Sequence, residues 1–182
     1  MFLTPEKKSR IEEITRKLEF TDFKWVDPKD IIVAHWVRMK CEFGCDDYGK
    51  ARCPPNVPSV AECRGFFQEY TTALIIRFHF DAEKGNYPKV LSRKLYDTLL
   101  ELERVVFLNG FHKAFVFNQS CCSICKECAQ KKADCKHPEK QRPSPEAFGV
   151  DVYGTVRNLG YEINVVTKSH QEIDRFAILL IE

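Results

Sequence analysis

The stretch that most limits how this chain can fold is Cys121-Cys122-Ser123-Ile124-Cys125-Lys126-Glu127-Cys128, followed by Cys135-Lys136-His137-Pro138. Read from Cys122, the spacing is C-x2-C-x2-C-x6-C. Two intervening residues let the backbone curl so that successive thiolates meet one inorganic core, and a remote fourth cysteine closes the cage. Zinc is the main competitor, but a zinc site usually takes a C-x2-C pair from each of two separated knuckles. Three thiols at successive C-x2-C steps favour an iron–sulfur cluster. The expected cofactor ligands are therefore Cys122, Cys125, Cys128 and Cys135, with a structural zinc knuckle as the alternative. Cys121 sits beside Cys122 and cannot easily point at the same metal, so it reads as a spare or packed thiol. His137 is close enough in sequence to ligate but reads as a solvated side chain. His35, His79, His112 and His170 have no partner at ligand spacing.

A second thiol-rich stretch lies upstream, where Cys41, Cys45 and Cys53 are spaced C-x3-C-x7-C and punctuated by Gly44, Gly49, Pro54 and Pro55. No periodicity runs through it, so it reads as a loop that only cross-linking or metal would fix. Three such thiols point to a second metal site, against the plainer reading of one buried cysteine and two loop thiols. The fourth ligand is open between Cys63, Cys121, Cys135 donated across two sites, a histidine, or none. With none, an open iron would bind substrate and the protein would be an enzyme rather than a carrier. Cys63 shares a helical face with Phe66, Phe67 and Tyr70, which makes it a core residue first.

The case for metal rests partly on compartment. There is no run of 18 or more apolar residues, and the start Met1-Phe2-Leu3-Thr4-Pro5-Glu6-Lys7-Lys8 lacks the apolar core of a signal peptide, which predicts a cytoplasmic protein with no membrane association. In that reducing setting the nine cysteines are expected as metal or redox groups, not disulfides. A net charge of +2 is too small to argue for nucleic acid. Lys126, Lys131, Lys132, Lys136, Lys140 and Arg142 read as a solvated face, or as charges that offset an anionic cluster or receive an acidic redox partner. No phosphate-binding glycine loop, serine nucleophile elbow or paired-carboxylate signature is present.

With 44% hydrophobic and 30% charged residues the chain is globular, and residues 1–182 are expected to form a single α/β metal-binding domain. Helices are predicted over Pro5 to Leu18, from Ser59 with Glu62 as a capping box, over Tyr87 to Leu108, and from Ser144 to Leu159. Gly149 inside the last of these signals a close approach or a break. A short strand is predicted over Thr21 to Asp27, with others at Thr72–Phe80, Lys113–Phe117, Tyr161–Val166 and Arg175–Ile181, and Asp81 to Asn86 reads as a polar loop. A strand, helix, strand order implies a right-handed crossover with parallel pairing. The expected fold class is thus α/β, a mixed and mostly parallel sheet flanked by helices, with two cysteine-rich metal-binding loops. The strand ending at Phe117 feeds the cysteine run at its carboxyl end, where such sheets collect ligands.

Several segments together resemble one family: Val37-Arg38 through Lys40-Cys41, Cys53-Pro54-Pro55, Cys122 to Cys128, Cys135-Lys136-His137-Pro138, and Arg142-Pro143-Ser144 through Val152. The chain is similar over nearly its whole length to the uncharacterised "predicted metal-binding protein" family, a domain of unknown function. The resemblance implies metal ligation at Cys41, Cys45, Cys53, Cys122, Cys125, Cys128 and Cys135, and no settled reaction. The functional expectation is an iron–sulfur protein with one or two 4Fe-4S clusters, working in electron transfer or a redox-accessory step with a redox protein or enzyme as partner. The alternatives are a zinc-pinned interaction protein and a redox enzyme with a site-differentiated cluster.

Overall fold

Helices α1 (Pro5–Lys17), α3 (Val60–Gln68) and α5 (Val152–Asn158) each begin where the sequence supplies a side-chain cap. In the computed structural model, which describes residues 3–80, 89–129, 131–168 and 171–182, Thr4 caps helix α1 (Pro5–Lys17) by accepting from Lys7 N at 3.4 Å, with Pro5 at the first position. The predicted capping box of Ser59 and Glu62 is formed at the start of α3 (Val60–Gln68). Helix α4 (Lys89–Leu108) turns Leu99, Leu102 and Val106 inward. The expected loop over Asp81 to Asn86, together with Tyr87 and His170, lies outside the described residues.

Four strands form one sheet in the order β1 (Phe23–Val26), β2 (Ala73–Phe80), β4 (Ile173–Leu180), β3 (Phe115–Phe117). Every neighbouring pair is antiparallel, which corrects the expectation of a mostly parallel sheet. The crossover through α4 does leave β2 and β3 pointing the same way. It leaps one strand position, however, and β4 fills the gap antiparallel to both, in register Ala73 with Leu180 and Phe115 with Leu180. The order strand, helix, strand fixes relative direction but not adjacency, and the split arrangement satisfies the same crossover geometry.

Alternate residues of the sheet face two separate cores. Ala73, Ile75, Ile178, Leu180 and Phe117 pack against α3 and α5 (Val152–Asn158), and Leu74, Ile76, Leu179 and Val116 pack against α1 and α4. A sheet covered on both faces needs apolar residues on both, which is why Ala73 to Ile76 read as an unbroken apolar run. The predicted strand Tyr161–Val166 does not form. Its alternation is real in burial, since Tyr161 and Ile163 are buried while Glu162 and Asn164 are exposed, but among the described residues no strand pairs with it. The Ile163 carbonyl accepts instead from Arg157 Nη2 at 3.0 Å.

The predicted helix Ser144–Leu159 is broken in two. A single 3-10 turn, Glu146–Phe148, ends at Gly149 with φ +78°, and α5 restarts after Asp151, whose carboxylate accepts from Gly154 N at 2.9 Å. The break lets the Gly149 carbonyl accept from Ala34 N at 2.8 Å, which seats helix α2 (His35–Gly44) against the 146–148 turn. Cys41 is thereby helical, not part of the expected loop. No helix among the described residues is long and apolar enough to cross a membrane.

Candidate metal centre

The two cysteine segments are built very differently. Cys41 lies in α2 and Cys45 is its C-cap, and α2 is fastened by Arg38, whose Nη2 donates to Pro58 O and Ala147 O, each at 3.0 Å. After Cys45 the chain folds into tight turns: Gly49 N donates to Pro54 O at 2.7 Å, Cys53 N to Lys50 O at 2.9 Å, and Asn56 Nδ2 to Gly49 O at 2.9 Å. Gly49 takes φ +86°, open to it because it lacks a Cβ. Ala51 N then donates to Ala129 O at 3.1 Å, so the two thiol-rich segments touch.

The second segment leaves β3 and is held by α4. Arg93 Nη1 donates to Ile124 O at 2.8 Å, and Ser92 Oγ lies 3.3 Å from Ser120 Oγ. The fully buried Tyr96 donates to Lys140 O at 2.8 Å and accepts from Arg142 N at 2.6 Å. Pro143 O accepts from Asn118 N at 2.9 Å, which closes the excursion where it opened.

Between these segments are two cavities of about 220 Å³ each. The first is lined by Cys122, Cys125, Cys128 and Cys135, so the four thiols read as one ligand set surround one space. Arg52, Lys136, His137 and Gln141 share its wall. His137, expected in solvent, is half-buried there. The second cavity is lined by Cys41, Cys45 and Cys53 together with Cys121, Gln119 and Glu146. Cys121, read as spare, is thus placed with the upstream thiols, while its neighbour Cys122 faces the other cavity. Cys63 lines neither: it is fully buried in the core, with its Sγ 3.6 Å from Pro58 O. Among the described residues, no three His, Cys, Asp or Glu side chains draw in tightly enough to hold a single ion. The thiols of each set stand around a space rather than at a point.

Electrostatics around the thiols is strongly perturbed. A hydrogen bond with Cys121 lowers the Cys53 thiol to about 7 against the effect of burial, with Arg52 and Lys50 assisting. Its partner Cys121 is pushed up by that same bond, by burial and by Asp47. Burial, then the neighbouring Cys45, Glu146 and Cys53, push Cys41 up to about 11. Thiols crowded in this way oppose one another's ionisation, and a bound cation is what makes all of them thiolates together.

Residues beside both spaces carry buried polar atoms without a partner. Gln119 is only 4% exposed, yet neither its Nε2 nor its Oε1 has a partner. Gln141 Oε1 in the wall of the first cavity and the nearby Ser123 Oγ are likewise unpartnered. Buried polar atoms are nearly always hydrogen-bonded, so such a concentration beside thiols marks a place built for something that accepts or donates to them. Sequence reasoning did not find Arg52, Arg93, Tyr96, Gln119, Gln141 or Glu146. Arg52 and Gln119 lie within two residues of a cysteine, but nothing in their type separates them from ordinary loop residues. Of the basic residues expected near the cluster, Lys136 reaches the first cavity, whereas Arg142 is engaged by Glu103 with Nε to Oε2 at 2.8 Å.

No curated protein and no solved structure matches this chain. Residues 24–181 match the family described as Predicted metal-binding protein (DUF2284), and the protein, which carries two cysteine-lined cavities within that span, belongs to that family.

Proposed function

We propose that this metal-binding protein is an iron–sulfur protein, with Cys122, Cys125, Cys128 and Cys135 holding a four-iron cluster, and that it serves one-electron transfer or a redox-accessory step in the cytoplasm. The observation that carries the reading is the size of the space the four thiols surround, about 220 Å³. A tetrahedral zinc with Zn–S near 2.3 Å draws its sulfurs to about 3.8 Å of one another and leaves no cavity. A cage of iron and inorganic sulfide needs room of its own.

When bound, such a cluster supplies reversible one-electron exchange between an external donor and an external acceptor. The chain's own residues have separable tasks. The four thiolates would ligate iron, and Arg52 and Lys136 in the wall and Arg93, which feels Cys122 and Cys125, offset their negative charge. Gln141, turned about its amide, offers an N–H toward sulfur, a contact of the kind that tunes cluster potentials. Tyr96 and Arg93 keep the loop in one shape by tying it to α4.

The test is anaerobic purification followed by iron, sulfide and zinc analysis and electron paramagnetic resonance of the reduced protein. Iron and acid-labile sulfide in near-equal amounts, with a signal that appears on reduction, are expected. Stoichiometric zinc without iron or sulfide would overturn the reading in favour of zinc-pinned loops.

A further inference from the structure

We infer that Cys121 is the fourth ligand of a second, complete site, in which Cys41, Cys45, Cys53 and Cys121 hold another iron–sulfur cluster. The metal identity rests on the function proposed above; the ligand assignment rests on geometry alone. Four candidates and an open position competed for the role. Cys135 lines the first cavity and Cys63 is sealed in the core, so neither reaches the upstream thiols. None of the described histidines lines the second cavity. Cys121 does line it, together with Cys41, Cys45 and Cys53.

The convergence has a structural cause. Cys41 and Cys45 are delivered by the last turn and cap of α2, Cys53 by the tight-turn segment that follows, and Cys121 by the chain leaving β3. Cys121 lines the second cavity and Cys122 the first, so the two adjacent thiols serve different cavities instead of competing for one. Each of the two spaces, at about 220 Å³, is lined by four cysteines.

An independent observation also marks the second space as built for a ligand. Gln119 is buried to 4% exposure, lines the cavity and has both amide atoms without a partner. Burying an amide with nothing to bond is unfavourable, and a sulfide- and thiolate-rich occupant would accept from its N–H. The result is a protein with two metal centres whose ligand sets are one peptide bond apart, a layout suited to carrying electrons in and out at different points.

The experiment compares metal content in anaerobically prepared wild type, Cys121→Ala, Cys125→Ala, Cys41→Ala and Cys63→Ala. Alanine is used because serine oxygen can replace a thiolate on iron. Wild type is expected to hold about twice the iron and sulfide of Cys121→Ala, which should match Cys41→Ala and keep the resonance signal of the first site. Cys125→Ala should lose the complementary half, and Cys63→Ala none. A Cys121→Ala protein with the full iron complement would overturn the assignment, as would one that loses all iron while Cys41→Ala loses half. If wild type carries zinc, the iron reading fails, yet loss of half that zinc in Cys121→Ala would still uphold the ligand.

Discussion

Glu103 and Arg142 are joined at the point where the cysteine loop re-enters the fold. Arg142 Nε donates to Glu103 Oε2 at 2.8 Å, its Nη2 donates to Oε1, and the same Oε2 accepts from Val116 N of β3 at 2.7 Å. Their side chains are 20% and 12% exposed for Arg142 and Glu103. Removing one member of a buried pair leaves the other's charge without compensation, which costs about 3 kcal/mol or more. Glu103→Ala is therefore expected to lower unfolding stability by about that amount in urea titrations of the holo-protein. Glu101→Ala, which breaks only the solvated pair with Arg104, should be barely distinguishable from wild type. Equal effects would show that the loop junction is not held by this pair.

Gly149 and Gly65 should respond to alanine with opposite signs. Gly149 holds φ +78°, and a Cβ there would meet Ala34 O at 3.4 Å, so strain of about 1–2 kcal/mol is expected for Gly149→Ala. Gly65 lies inside α3 with nothing within 4 Å of its would-be Cβ. Gly65→Ala should therefore gain up to about 1 kcal/mol from helix propensity. Thermal unfolding of the two variants checks the pair, and a stabilised Gly149→Ala would contradict the break in the predicted helix.

Acid should remove a specific contribution through Asp174. Burial opposes its charge, but hydrogen bonds and positive charge from Arg77 and His79 outweigh that and hold the carboxyl below its usual value. Arg77 Nε is 2.9 Å from Oδ1 and Nη2 is 3.1 Å from Oδ2, His79 Nδ1 is 2.9 Å from Oδ1, and Asp22 shares Arg77 at 3.5 Å. A carboxyl whose folded value lies below its unfolded value of about 3.9 stabilises the fold above that pH, and the contribution is lost as pH falls through the folded value. The stability gap between wild type and Asp174→Asn is expected to be larger at pH 5 than at pH 3. A gap that stays constant across that window would rule the linkage out.

The parts of this fold legible in the sequence are those in which burial and period coincide. Ala73 to Phe80 is apolar where both faces are covered and alternates where its end reaches solvent, so its strand character is written in residue types. The grouping of Cys122, Cys125, Cys128 and Cys135 around one cavity is legible because their spacing is local. Three features were not. Adjacency in the sheet depends on β4, which arrives almost sixty residues after β3 and slips between β3 and β2. The helix bearing Cys41 shows no inward stripe, since only Val37 is buried while Trp36, Met39 and Phe43 are exposed. The place of Cys121 in the second cavity depends on which way one side chain leaves the backbone, and residue type carries no record of that.

Metal removal should loosen the two thiol-rich segments without unfolding the sheet. Between Cys45 and Asn56, and again from Cys121 to Ala129, the chain has no regular helix or strand; isolated turn bonds hold the first segment, and Ala51 N and Arg93 reach the second at Ala129 O and Ile124 O. Such segments draw their order from cross-links, so metal binding and local folding are one equilibrium there. Residues 140–142 differ, because Tyr96 and Glu103 fasten them independently of any thiol. Hydrogen exchange of protein stripped by an anaerobic chelator is expected to rise at least about tenfold in residues 45–56 and 121–129. Ile75 and Leu179 in the central strands, and Arg142 beside Tyr96, should keep their protection. If the thiol-rich segments exchange at the same rate with and without metal, the turns hold themselves, and the cysteines were placed around these cavities for a purpose other than structure-bearing ligation.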